Sequence, residues 1–304
     1  NIKPESHGLR KEENNMKHIV FDCDCTFGVN KCDVDDGLAL MYLLGCEEAE
    51  VLGVTATYGN STLPVVWEAL NRLLADLGKK DITVKKGGEA REYYKSEAAD
   101  FLVDMANKNP GELSVLATGS LTNLYGAYEK DSAFFDKVKE IVLMGGITSP
   151  LIFEKKVMNE LNFSCDPKAA WTVLTKGKNV SVITGNNCLK VLFTKEEYKK
   201  RLFTMENPAA VYIREKTDYW FGYNEEDYGI GGFYNWDVTA AVYLMHPELF
   251  KDVKDVFEIT ETDLQTGFLR KEHSGNCVLN LPEIDEEESF KNNIYDTWME
   301  VRML

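Results

Sequence analysis

The 304-residue sequence is short of basic residues, has only four histidines and contains no long apolar segment. Its net charge of −16 argues against a nucleic-acid partner, because phosphate backbones are bound by clustered Lys and Arg. No run of about 18 apolar residues occurs, so no membrane span is predicted. GxSxG, P-loop and GxGxxG motifs are also missing, which leaves serine hydrolase and mononucleotide-fold chemistries without support.

The seven cysteines form no CxxC pair, and their number is odd. A structural zinc site is therefore not expected. Reduced thiols in a cytoplasmic protein are the ordinary interpretation of such a pattern. Strong acidity mostly serves solubility and indicates no particular partner.

Short apolar runs rich in β-forming residues alternate with helical stretches up to about residue 190. The runs predicted as strands are residues 19–21, 51–57, 82–84, 114–118, 141–144 and 180–184. The stretches predicted as helices are residues 63–77, 96–108, 121–130 and 167–176. Continuously apolar strands separated by helices indicate an α/β fold with an open, mostly parallel sheet and helices on both faces.

The pattern is looser in the last third of the chain. Residues 217–236 combine aromatic side chains with glycines and show no clear period, so a lid over a flat ligand and a surface loop held by its aromatics both remain open. A strand is predicted within 275–281 and an amphipathic helix near 289–303. No linker is evident, so residues 16–304 are predicted to form a single domain, with residues 1–15 a cloning remnant or a disordered arm.

Five aspartates crowd the segment between two apolar runs near the start of the chain. They are Asp22, Asp24, Asp33, Asp35 and Asp36. Carboxylates gathered at the end of a buried strand repel one another unless a cation neutralises them, because buried charge must be paired or must coordinate metal. The segment therefore predicts a hard-metal site with oxygen ligands, for either calcium or magnesium.

Polar or glycine residues follow each predicted strand. They are Asp22 and Asp24, Asn60, Thr118 with Asn123, Gly145 and Gly146, and Asn186 with Asn187. The carboxyl ends of parallel strands share one edge of a sheet, and ligands bind at that edge. These residues are therefore expected to converge on one site.

Six ordered segments carry a resemblance to a known family. They are Asp22-Cys-Asp24 with Asp33-Val-Asp35-Asp36-Gly-Leu-Ala-Leu, Thr57-Tyr-Gly-Asn60, Ala117-Thr118-Gly-Ser-Leu-Thr-Asn123, Val142-Leu-Met-Gly-Gly146, Glu160-Leu-Asn162-Phe-Ser-Cys-Asp-Pro-Lys-Ala-Ala and Trp236-Asp237-Val-Thr-Ala-Ala. In order and spacing they resemble the inosine–uridine-type nucleoside hydrolases, whose signature is DxDxGxDDxxAL or DTDxGNDVDDALAL. The resemblance spans roughly residues 17–300. It implies hydrolysis of a small-molecule ribonucleoside to ribose and free base by a homodimer or homotetramer.

The resemblance also implies a calcium site. Its protein ligands would be the carboxylates of Asp24, Asp36 and Asp237 and the backbone carbonyl of Thr118. Water and ribose hydroxyls would complete the flexible coordination that calcium prefers. Asp24 would also be the general base, because calcium acidifies water less than zinc does and a carboxylate is needed within hydrogen-bond reach.

The expected substrate contacts come from the same resemblance. Asp35, Asn60, Glu160 and Asn162 match positions that bind ribose or line its pocket. Trp236 stands where one branch of the family has His. Trp cannot protonate the leaving base but can stack on it, which favours a purine; simple packing of Trp236 in the core is the alternative.

Two stretches depart from the family pattern. The loop from Cys25 to Cys32 is longer than the usual turn, and its Lys31 either faces solvent or reaches the site. Residues 147–158 are also longer than expected and lack the usual ribose-contacting asparagine. Glu154 or Asn159 is the candidate replacement.

Two other functions fit parts of the sequence. A haloacid dehalogenase-type phosphatase would use Asp22 as nucleophile, Asp24 as acid/base and magnesium as cofactor, with Thr118 at a later strand end. That interpretation finds no Lys followed by an Asp pair and leaves Asp237 without a role. A catalytically altered family member that binds a nucleoside or ribose without cleaving it is the non-enzymatic alternative.

Overall fold

The computed structural model of the protein describes residues 16–303, so the expectation for residues 1–15 lies outside the described residues. The strands in this range are β1 Lys17–Cys23, β2 Ala49–Ala56, β3 Val84–Lys86, β4 Leu113–Ala117, β5 Glu140–Met144, β6 Leu151–Ile152, β7 Val157–Met158, β8 Val180–Ile183, β9 Phe193–Thr194, β10 Gly232–Phe233, β11 Phe250–Lys251, β12 Lys254–Glu258, β13 Arg270–Lys271, β14 Cys277–Asn280 and β15 Glu283–Ile284. The α-helices are α1 Asp35–Gly45, α2 Leu63–Asp76, α3 Glu97–Lys108, α4 Thr122–Lys130, α5 Phe134–Lys137, α6 Asn162–Cys165, α7 Pro167–Lys176, α8 Gly185–Cys188, α9 Lys195–Tyr198, α10 Pro208–Tyr228, α11 Trp236–Met245, α12 Glu261–Leu264 and α13 Glu287–Met299. A π-helical turn spans Lys199–Phe203, and a 3-10 turn spans Pro247–Leu249.

Nine strands form one sheet in the order β13-β12-β14-β8-β5-β4-β1-β2-β3. All neighbouring pairs from β14 through β3 are parallel, and only β12 and β13 add antiparallel edges. The predicted α/β fold with a mostly parallel sheet is confirmed. Strand β1 lies between β4 and β2, so the acidic segment that follows it emerges near the middle of the sheet.

Helices cover both faces of the sheet. Successive side chains of a strand point to opposite faces, and each face packs against its helices in a separate apolar core. In β1, Ile19 and Phe21 belong to one apolar cluster, whereas Val20 belongs to the other. The first cluster includes residues of α1, α10, α11 and α13, and the second includes residues of α3, α4 and α7. Strands buried on both sides read as continuous apolar runs in sequence, which is why they were recognisable.

The prediction of a loop or lid at residues 217–236 is wrong. Residues up to Tyr228 continue α10, whose first turn is capped by Asn207 and opened by Pro208. The helix ends at Gly229, which adopts a left-handed conformation with φ of 75°. Its buried residues include Ile213, Thr217 and Phe221, which are four positions apart and lie on one face of the helix. Packing of this face against the rest of the protein stabilises a helix whose sequence shows no clear apolar period.

No helix within residues 16–303 is both long and apolar enough to cross a membrane.

Replacing Gly222 with Ala is expected to stabilise the protein by about 0.5–1 kcal/mol, because glycine in a helix interior loses more backbone freedom on folding than alanine. Gly222 is exposed in α10, and an added Cβ meets no atom within 4 Å. The free energy of unfolding in urea measures the effect. Unchanged or lower stability would contradict a helical conformation at this position.

Candidate active site

The carboxyl ends of three adjacent strands bring the predicted site residues together. Asp24 follows β1, Asn60 follows β2 and Thr118 follows β4. The Thr118 N–H donates to the carbonyl of Asp22 at 2.9 Å, which holds the end of β4 against β1. This is the convergence that the parallel sheet predicted.

Asp24 is fully buried and is held by the segment after β2. The Asn60 backbone N–H donates to Asp24 Oδ2 at 2.7 Å, and the Asn60 Nδ2 donates to Oδ1 at 3.2 Å. Burial raises the pKa of Asp24 to about 7, although the N–H of Asn60 opposes that rise. Asn60 therefore holds the Asp24 carboxylate in place and also lines the cavity.

Two helix N-termini supply the remaining carboxylates. Asp35 and Asp36 lie in the first turn of α1, and Asp237 lies in the first turn of α11, where the helix dipoles favour ionised carboxylates. The Asp237 N–H donates to Asp35 Oδ2 at 3.1 Å, which ties the two helix starts together. The Thr118 Oγ1 donates to Asp36 Oδ1 at 2.6 Å, so β4 joins the same cluster.

In residues 16–303, Asp33, Asp36 and Asp237 form an acidic group, with one carboxylate oxygen of each within 4.8 Å of the others. Burial, and after it repulsion from neighbouring carboxylates, raises the pKa values of Asp36 and Asp237 well above the ordinary range. A divalent cation removes this repulsion. Carboxylate and carbonyl oxygens also suit a hard cation, so the donor set fits one.

Glu160 and Asn162 lie beside this cluster. The Asn162 Nδ2 donates to the carbonyl of Thr118 at 2.9 Å and to that of Met144 at 3.0 Å. The Glu160 carboxylate accepts backbone N–H groups from Gly146, Phe163 and Ser164, at 2.8 to 3.1 Å. Both predicted ribose-contacting residues therefore also organise the loop between β7 and α6.

Aromatic side chains also line the cavity. Trp236 is half-buried at the start of α11, and its ring lies 5.2 Å from that of Tyr234. Trp220 and Tyr223 of α10 are stacked, with ring centroids 4.8 Å apart and planes at 6°. Trp236, Trp220 and Tyr223 all line the cavity, so Trp236 is not confined to the core.

The two stretches that depart from the family pattern also reach the cavity. Lys31 is exposed and lines its rim. Within residues 147–158, β6 and β7 form a short antiparallel hairpin. Asn159 lines the cavity, whereas Glu154 packs near Gly229.

Two aspartates differ from the sequence-based assignments. Asp22 lies within β1 and is fully buried, and its Oδ1 accepts hydrogen bonds from Thr55 and Asn123, which indicates a structural role and not that of the nucleophile in the phosphatase interpretation. Asp33 received no individual role from the sequence, yet it belongs to the acidic group with Asp36 and Asp237, which does not include Asp24. The available signal was its membership of the aspartate-rich segment.

The chain is similar to known proteins over most of its length. The model of the family "Inosine-uridine preferring nucleoside hydrolase" matches residues 19–291. A probable uridine nucleosidase 1 of Oryza sativa subsp. japonica is 27% identical over 268 residues, covering 77% of this chain and 80% of the relative. A solved plant nucleoside hydrolase has a TM-score of 0.81 at 22% identity, covering 93% of this chain and 99% of that one. A purine-preferring ribonucleoside hydrolase from Gardnerella vaginalis has a TM-score of 0.80 at 22% identity, covering 93% of this chain and 98% of that one. The similarity to these two solved structures shows a shared fold.

Proposed function

Because the chain belongs to the inosine-uridine preferring nucleoside hydrolase family and is a ribonucleoside N-glycosidase, we propose that it uses Ca²⁺ and prefers purine ribonucleosides. One observation carries the proposal: Asp237 and Thr118 line a cavity together with aromatic side chains, and Asp24 and Asp36 accept hydrogen bonds from the lining residues Asn60 and Thr118. When bound, the ion would supply the chemistry of acidifying and orienting a water molecule.

The residues around the cavity have three different roles in the reaction: proton transfer, ribose binding and stabilisation of the transition state. Asp24 accepts the proton of the attacking water, because a carboxylate within reach of that water is an effective general base. Asp35, Glu160 and Asn162 bind ribose hydroxyls and fix C1′ in position. The oxocarbenium-like transition state is stabilised by the surrounding carboxylates, which are arranged before the substrate arrives.

Calcium is proposed over magnesium because of the kind and crowding of the ligands. The donors are several carboxylates and a backbone carbonyl that already accepts a hydrogen bond from Asn162. Calcium accepts 6–8 oxygen ligands in irregular arrangements, whereas magnesium demands near-octahedral geometry and keeps several waters. The ion would be held by Asp24, Asp36, Asp237 and Thr118.

A purine is proposed because the cavity offers flat rings on which a larger base can stack. Trp236 stands at the start of α11 next to Asp237, and Trp220 and Tyr223 add two stacked rings. A uridine preference is the second candidate, since the rice relative carries the name probable uridine nucleosidase. Both substrates share the ribose site and differ only at the aromatic side.

A panel of purine and pyrimidine ribonucleosides, assayed for reducing-sugar release, tests the proposal. We expect release with Ca²⁺, its loss with a chelator, its return when Ca²⁺ is added back, and the highest kcat/KM on purines. Higher kcat/KM on uridine would replace the purine preference. Binding without any release would favour the non-catalytic alternative.

Trp236→Ala is expected to raise KM for purine ribonucleosides by about tenfold, since stacking of one base on an aromatic ring is worth roughly 1–3 kcal/mol. Steady-state kinetics on a purine and a pyrimidine nucleoside measure the effect. Trp171→Ala is the matched control, because Trp171 packs on the opposite face of the sheet. Equal KM values for wild type and Trp236→Ala would show that Trp236 does not contact the base.

We also propose a cytoplasmic homodimer or homotetramer. All seven cysteines are free thiols, which suits a reducing compartment. The oligomeric state rests on the family alone and is measured by light scattering. Localisation of the tagged full-length protein in its native cell tests the compartment.

A further inference from the structure

The loop between β1 and α1 is fixed against the protein at several points. Phe27 is buried, and its ring lies where a side chain on Gly37 would be, 2.2 Å from an added Cβ. Arg72 donates to the Phe27 carbonyl at 3.3 Å. The Tyr219 hydroxyl of α10 lies 3.1 Å from the Val29 carbonyl and 2.6 Å from that of Cys32. These contacts pack the loop against α1, α2 and α10.

This loop places Asp33 at the acidic cluster. The Asp33 backbone carbonyl accepts a hydrogen bond from Thr26 Oγ1 at 3.0 Å, and Asp33 lines the cavity. One of its carboxylate oxygens lies within 4.8 Å of oxygens from both Asp36 and Asp237. Among the described residues, no Lys, Arg or His forms an ion pair with Asp33.

A second observation indicates a missing positive partner at the same place. Asp36 is 1% exposed, and its Oδ2 has no hydrogen-bond partner in residues 16–303. Its other oxygen, Oδ1, accepts from Thr118. A buried carboxylate oxygen without a partner is costly, and a cation beside Asp33, Asp36 and Asp237 satisfies it.

We infer that Asp33 supplies a fourth carboxylate to the metal site and contributes to binding the same ion as Asp24, Asp36 and Asp237. This inference rests on the proposed function, because it concerns the same cation. The sequence-based ligand set contained three carboxylates, and Asp33 adds one negative charge. The charge count of the ligands is one of the properties that set calcium affinity in proteins.

A structural role for Asp33 is the competing explanation. Its Oδ1 accepts the Asp35 N–H at 3.4 Å, so it lies near the start of α1 as a weak cap. Asn caps helices about as well as Asp does. Asp33→Asn therefore removes the charge and keeps the capping group, which separates the two roles.

Calorimetric titration of the chelator-treated protein with CaCl₂ tests the inference. We expect Asp33→Asn to raise the Kd for Ca²⁺ by about tenfold or more. We also expect the ion-free variant to melt at the same temperature as ion-free wild type or higher, because repulsion among buried carboxylates is reduced. Loss of a structural contact would lower that temperature. Asp104→Asn, an exposed change in α3, is the matched control and should leave both values unchanged.

The outcomes separate this inference from the proposed function. If Asp33→Asn binds Ca²⁺ within twofold of wild type, the assignment of Asp33 is wrong while calcium-dependent hydrolysis stands. If wild type binds no Ca²⁺ in the titration, the proposed cofactor fails, and the assignment of Asp33 fails with it. A lower melting temperature of the ion-free variant with unchanged Kd assigns Asp33 to structure alone.

Discussion

Replacing Asp24 with Asn is expected to lower kcat/KM for ribonucleoside hydrolysis by about 10³-fold or more. General base catalysis contributes roughly 10²–10⁴-fold, and Asn accepts no proton from water. Asp24 is fully buried, and two hydrogen bonds from Asn60 fix the position of its carboxylate. Any contribution of Asp24 to metal binding adds to the loss.

Kinetics at saturating Ca²⁺, together with calorimetric titration of the same variant, measure both roles of Asp24. A large fall in kcat with little change in Kd for Ca²⁺ assigns Asp24 to proton transfer. A large rise in Kd assigns it to the metal as well. Asp104→Asn serves as the surface control. Activity of Asp24→Asn within tenfold of wild type would remove Asp24 from the mechanism.

The wild-type pH profile offers a second check on Asp24. Burial raises its pKa to about 7 without a cation, and a bound cation lowers it. A general base must be deprotonated, so activity at saturating Ca²⁺ is expected to fall as the pH drops through the lowered pKa that Asp24 has beside the cation. The Asn variant should lack that acidic limb in its residual activity.

Gly59→Ala is expected to lower kcat/KM by about 10²-fold or more without changing any charge, since small misplacements of reacting groups cost about that much. A Cβ on Gly59 would lie 1.8 Å from Asp24 Oδ2 and 2.9 Å from its Cγ. Asp24 is enclosed on all sides, so it must leave its present position to make room. The neighbouring Asn60, which holds Asp24, moves with the same backbone.

Gly231→Ala is the matched control for this steric effect. A Cβ on Gly231 meets no atom within 4 Å, so its kinetics should equal those of wild type. Circular dichroism and urea unfolding establish that both variants are folded. Wild-type turnover by a folded Gly59→Ala would show that the reaction tolerates displacement of the Asp24 carboxylate.

The central part of the fold could be predicted from the sequence because the local preferences of its residues agree with the packing they adopt in the structure. Helix α7 spans Pro167–Lys176 as predicted, since Asp166 caps it and Pro167 begins it. Edge strand β3 was placed two residues early, at 82–84 rather than Val84–Lys86. Its bounds are set by pairing with β2, in which Val84 opposes Val54, and an edge strand carries a weaker apolar signal.

Helix α10 was missed because its position, like that of β3, depends on tertiary contacts more than on local sequence preferences. Its glycine and aromatic residues indicate a loop when they are considered alone. Packing of Ile213, Thr217 and Phe221 against the core outweighs those preferences. The same helix brings Trp220 and Tyr223 to the cavity, far in sequence from the aspartates.

The α/β sheet and the convergence of Asp24, Asn60 and Thr118 follow from the order of residues along the chain, because apolar strands separated by helices form a parallel sheet and parallel strands end at one edge. The place of Asp33, in contrast, depends on contacts between distant parts of the chain. An irregular loop has no period, so only its anchors, Phe27 in the core and Tyr219 on α10, direct that carboxylate toward Asp36 and Asp237.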